Sequence, residues 1–132
     1  MGAWGPGSFD NDDALDWVAE LLEARDFSLL REAFETILEE GGGYLDSPDC
    51  ATALAAAEVD AALNARGADD LPDGVKLWVS ERLGRLPSGV AEQARRAVAA
   101  VLEGSELKDL WDDSDAGSVW RAGVENLLRR LE

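Results

Sequence analysis

The chain has 132 residues with 12 basic against 28 acidic side chains, a formal charge of −16 that repels phosphate backbones and anionic leaflets and so argues against nucleic-acid or membrane partners. Its apolar content of 46%, with five Trp, is rich enough for one folded domain over residues 1–132 and argues against general disorder. One cysteine, Cys50, excludes an intramolecular disulfide. The absence of histidine removes the commonest general acid–base group and a usual zinc ligand.

The chain opens on residues 1–9, which read as an irregular arm. Gly5-Pro6-Gly7-Ser8 has the composition of a tight turn, with Trp4 and Phe9 on either side. Two large rings around a turn predict an ordered arm from Gly2 to Phe9 that packs on the body, with Trp4 in a groove near the first helix. The competing expectation is an exposed Trp4 that anchors a partner. Asp10 reads as the N-cap of the first helix, and Phe9 as its hydrophobic staple against Ala14.

In the first helix Ala14, Trp17, Val18 and Leu21 share one face, which Leu15 and Leu22 widen. A second helix runs from about Ser28 through Leu30, Ala33, Phe34, Ile37 and Leu38 until Gly41-Gly42-Gly43 stops it. Ser47-Pro48 marks the third, with Ser47 as cap and Pro48 in the first turn. That helix continues through Ala51, Leu54, Ala55, Val59, Ala62 and Leu63 to a stop at Gly67, and its alanines predict close approach by neighbours.

A short helix carries Val75, Trp78, Val79 and Arg82. After Pro87-Ser88-Gly89 another bears Val90, Ala94, Ala97, Val98 and Val101. Gly104-Ser105 ends it and caps a two-turn segment with Leu107, Leu110 and Trp111. Asp115 reads as the cap of the last helix, whose face is Trp120, Val124, Leu127, Leu128 and Leu131. No sustained period-two alternation competes, so the fold expectation is all-α. It is a compact array of about six to seven short and medium helices with an ordered N-terminal arm. Trp17, Phe34, Leu54, Val98 and Leu127 are expected in its core.

Few groups point to chemistry. Asp10, Asp12, Asp13 and Asp16 cluster as a cation site would, but the glycine and distal glutamate of a calcium loop are missing, and helix capping explains them. Asp112, Asp113 and Asp115 read as a solvated junction. Glu58 falls among Ala51, Leu54, Ala55 and Ala62 inside an apolar stripe. Either it reaches solvent at the stripe's edge, or it is buried and paired, with Arg31 and Arg82 as the candidate partners. Cys50 lies early in a helix, where a small-hydrophobe role is expected. Trp17, Trp78, Trp111 and Trp120 occupy core spacing, and only Trp4 stands outside a periodic face. No phosphate-binding loop, dinucleotide fingerprint, nucleophile elbow or HExxH motif occurs.

The opening Met1-Gly2-Ala3-Trp4-Gly5-Pro6-Gly7-Ser8-Phe9-Asp10-Asn11-Asp12-Asp13-Ala14-Leu15-Asp16-Trp17 resembles the start of the DUF4259 proteins, an uncharacterised bacterial family. The shared pattern falls on Gly2, Trp4, Gly5, Gly7, Phe9, Asp12, Ala14 and Asp16. The resemblance implies a family and no activity. Ten Arg against two Lys, with abundant Ala, fit a GC-rich bacterial genome. No charged-then-apolar leader and no stretch near ~18 apolar residues is present, so a cytoplasmic location is expected.

The leading functional expectation is a non-enzymatic acidic binding protein that masks or neutralises a basic protein partner, with no cofactor. Its candidate interaction residues are Trp4, Asp12, Asp16 and Glu58. The alternatives are a carboxylate-based, metal-dependent hydrolase that uses Asp12, Asp16 or Glu58, and a structural homo-oligomer.

Overall fold

A computed structural model describes residues 5–40 and 43–132. Seven helices and no strand occur among them: α1 (Asp12–Glu23), α2 (Ser28–Glu39), α3 (Ser47–Leu63), α4 (Asp73–Ser80), α5 (Val90–Glu103), α6 (Glu106–Asp112) and α7 (Gly117–Arg130). The fold is all-α, as the apolar periodicity predicts. No helix among the described residues is long and apolar enough to cross a membrane. Trp4, Gly41 and Gly42 lie outside the described residues, so the groove expected for Trp4 and most of the triple-glycine stop fall there too.

α3 is the axis of the array and touches all six other helices. Thirteen of its 17 residues are buried, seven of them alanines. Alanine gives neighbouring helices nothing larger than a methyl to pack over, so they close in from every side. The other long helices bury one stripe each, as amphipathic periodicity requires. Trp17, Phe34, Leu54, Val98 and Leu127 are all buried, with Phe34, Val98 and Leu127 fully so. At the edges the stripes are narrower than expected. Leu15 and Leu22 on α1 are 38% and 45% exposed, and α6 buries none of its residues completely.

The helix ends differ from the sequence reading in several places. Asn11, not Asp10, caps α1, with its Oδ1 accepting from the Ala14 amide at 2.8 Å. Asp10 instead accepts from the Gly7 amide at 3.0 Å and closes the preceding turn. This one-residue shift moves Phe9 out of the staple position, although it still packs on the core. It also explains Gly5 and Gly7. A Cβ on either would lie 2.7 or 2.6 Å from the Asp10 carboxylate, so the glycines make room for that side chain.

Ser47 sits inside α3, whose N-cap is Asp46, and the Ser47 amide donates to Glu106 of α6 at 2.7 Å. α3 ends at Leu63, before Gly67. Ala65 takes the left-handed conformation (φ 63°) that a glycine usually supplies, while Arg66 N bonds Ala61 O at 2.8 Å and Ala65 N bonds Ala62 O at 3.0 Å. Asp115 does not cap α7, whose N-cap is Ala116; Ser114 Oγ accepts from the Ala116 amide instead. Ser105 is the cap of α6 as predicted, and its hydroxyl accepts from Lys108 N and donates to Val101 O, both at 3.0 Å.

Candidate functional site

Two carboxylates lie buried on α3, two residues apart: Glu58 at 7% exposure and Asp60 at 0%. Two residues along an α-helix turn the side chain through ~200°, so the two point to nearly opposite sides.

On one side, Ser8 Oγ of the arm donates to Glu58 Oε2 at 3.0 Å, across 50 residues of chain. Arg130 Nη1, from the last turn of α7, lies 2.9 Å from Oε1. That contact is electrostatic and not an aligned hydrogen bond. Nη1 donates to the Arg66 carbonyl at 3.2 Å, and Nε to Asn126 Oδ1 at 2.8 Å, which fixes the guanidinium. Of the two sequence expectations for Glu58, the buried, paired one holds, but neither candidate partner is the right one. Arg31 is exposed on α2. Arg82 lies 4.2 Å over the Trp78 ring and donates to the carbonyls of Trp78 and Ala24. Arg130 was missed because its position depends on α7 folding back across α3, which no local pattern records.

On the other side, Asp60 was missed altogether. Its Oδ2 has no partner, and Oδ1 has only a long 3.5 Å contact from Asn64. Burial pushes its carboxyl up to about 7, with Arg95 of α5 pulling weakly the other way. The signal was present: a helix with alanine on every face has no solvent side on which to place an aspartate.

The arm forms one wall of a small cleft beside α3, α6 and α7, lined by Gly5, Gly7, Ser8, Leu54, Trp111 and Trp120 among others. Its volume of ≈ 40 Å³ holds a few waters, far less than the roughly 300–1,000 Å³ of a ligand pocket. Here Ser8 acts as a strap: it links the arm to the buried ion pair.

The proposed site residues do not form one group. Asp12 and Asp16 are exposed on α1, Glu58 is buried against Ser8 and Arg130, and Trp4 is outside the described residues. Among the described residues no three acidic or thiol side chains converge as a metal site would. Cys50 is buried, and loss of solvation pushes its thiol up to about 12, so it packs as a small apolar group.

A different surface concentrates the charge. Glu40, at the end of α2, and Asp46 and Asp49, at the start of α3, stand together, while Glu106 and Asp109 of α6 lie beside Tyr44, which is 62% exposed. Asp49 is raised by lost solvation first and then by Asp46 and Glu40. Tyr44 donates to Asp109 Oδ2 at 2.5 Å, and that bond pushes its hydroxyl up to about 12.

No curated protein and no solved structure matches the chain. The model of a domain of unknown function, DUF4259, matches residues 2–123, and the chain belongs to that family.

Proposed function

We propose that the protein is a non-enzymatic binding protein whose acidic surface receives a basic protein partner and masks it. The carrying observation is the exposed Tyr44 beside Asp109 and Glu106 of α6. Glu40, Asp46 and Asp49 stand together in a chain of charge −16, with Glu106 of α6 bonded to the neighbouring Ser47 amide, and lost solvation, then Asp46 and Glu40, raise Asp49 toward protonation. A Lys or Arg brought there relieves that repulsion, and an exposed tyrosine offers a ring face to the same cation. Pairing within the chain uses few carboxylates: the ion pairs among the described residues engage Glu58, Glu81 and Asp112. Complementarity of this kind speeds encounter and rejects acidic competitors.

The test is capture of partners from native cytoplasm at low and high salt, comparing the wild type with Asp46→Lys/Asp49→Lys, followed by titration of the purified partner. A basic protein whose affinity falls with salt and with the charge reversal supports the reading. Failure to recover any salt-sensitive basic partner, or equal capture by the reversed variant, overturns it.

A further inference from the structure

Three arginines gather at one place on this acidic molecule. A shallow depression of ≈ 500 Å³ lies between the α1–α2 turn and the turn after α4. Its lining is Arg25, Asp26, Phe27, Glu81, Arg82 and Arg85, three of the chain's ten arginines. We propose that this depression binds a small organic oxyanion, a phosphate or carboxylate joined to an apolar group.

The two acidic residues of the lining have partners of their own, although the formal balance there is three positive charges against two negative. Asp26 Oδ1 accepts from the Ser28 amide at 3.1 Å and from the Ser28 hydroxyl at 2.7 Å, and these bonds hold its carboxyl below the ordinary value. Glu81 stands 3.4 Å from Arg82 Nη1. Arg25 and Arg85 form no ion pair among the described residues. An alternative assignment would have all three arginines serving the negative ends of α1 and α4. Only Arg82 does so, through the carbonyls of Trp78 and Ala24; the side chains of Arg25 and Arg85 make no such bond among the described residues.

Arg82 is also fixed in place. It stacks on Trp78, whose indole N–H donates to Ala24 O at 3.1 Å, and Phe27 meets the same indole edge-on at 6.0 Å. The depression therefore offers one immobilised guanidinium, two uncommitted ones and a half-buried phenyl ring. Arginine's planar donors suit phosphate and carboxylate oxygens, and Phe27 suits the apolar remainder of the ligand. This reading is independent of the Tyr44 surface, which carries the opposite charge.

The probes are phenyl phosphate and benzoate, with phenol as the neutral control, titrated while the arginine Nε–H and Phe27 ring signals are followed by NMR. Saturable shifts of Arg25, Arg82, Arg85 and Phe27 with either anion and not with phenol are expected, and the stronger of the two identifies the preferred oxyanion. Arg25→Gln/Arg85→Gln, confirmed folded by circular dichroism, should weaken binding by roughly tenfold or more. Unchanged affinity in that variant overturns the proposal, as do shifts spread equally over Arg96 and Arg129 or the absence of saturation.

Discussion

Glu58 and Asp60 occupy the same helix, two residues apart, and fare differently. Glu58 is met on both oxygens' sides, by a hydroxyl from the arm and a guanidinium from α7. Asp60 is buried completely with one oxygen alone. The contrast shows that burial alone does not decide what a core carboxylate does. A partner delivered from a distant segment turns it into a tie between elements, whereas without one it becomes a protonation site.

The largest expected effect separates the two by pH. Asp60 titrates near 3.8 when unfolded and near 7 when folded, so between about pH 4 and 7 the native state holds the extra proton. Stability therefore falls as pH rises through that window and levels off above it. A carboxyl moved that far corresponds to on the order of 4 kcal/mol. Asp60→Asn should accordingly stabilise the protein by about 3 kcal/mol at pH 8, after a deduction for an imperfectly paired amide, and by little at pH 4. Urea unfolding of both proteins across that range measures it. Self-repulsion of the −16 chain slopes the same way, so the difference between the two curves is the relevant quantity. Parallel curves would show that Asp60 is not the titrating group.

Removing the paired carboxylate should have the opposite sign. Glu58→Ala leaves Arg130 without its counter-charge, at a cost of about 2–3 kcal/mol, below the fully buried case because the Arg130 side chain is 20% exposed. Ser8→Ala should cost about 1–2 kcal/mol in the wild type and close to nothing once Glu58 is alanine, because the bond it removes is already gone. Additive losses in that double-mutant cycle would mean that the arm is held elsewhere and the strap is incidental.

The sequence carried the helices well and the ties between them poorly. Trp17, Phe34, Val98 and Leu127 each fall on the apolar period of their own helix, and a period needs only neighbours in the chain to be visible. Caps shifted by a residue because Asp10 and Asn11 are both good capping side chains, and only the turn geometry assigns Asp10 to Gly7. Arg130 and Ser8 reach Glu58 from opposite ends of the chain, so no spacing rule connects them. Asp60 was hidden by reading α3 as a helix with one apolar face when six neighbours enclose it.

The smallest expected effect lies at the C-terminal end of the same helix and serves as a control for the pH comparison. Ala65 closes α3 with φ 63°, where a Cβ crowds the backbone at a cost of about 1 kcal/mol that glycine avoids. Glycine gives part of this back through the greater freedom of the unfolded chain. Ala65→Gly should thus raise stability by about 0.5 kcal/mol, read as a higher urea midpoint at unchanged slope. The left-handed residue also aims the Arg66 carbonyl that Arg130 grips while Arg130 faces Glu58, so a better-fitting residue there should leave the ion pair intact. Because neither carboxylate changes environment, the gain should be equal at pH 5 and pH 8. A gain that depends on pH would mean that the helix end and the buried carboxylates are coupled, and the contrast between Glu58 and Asp60 would then belong to α3 as a whole and not to the partners each one finds.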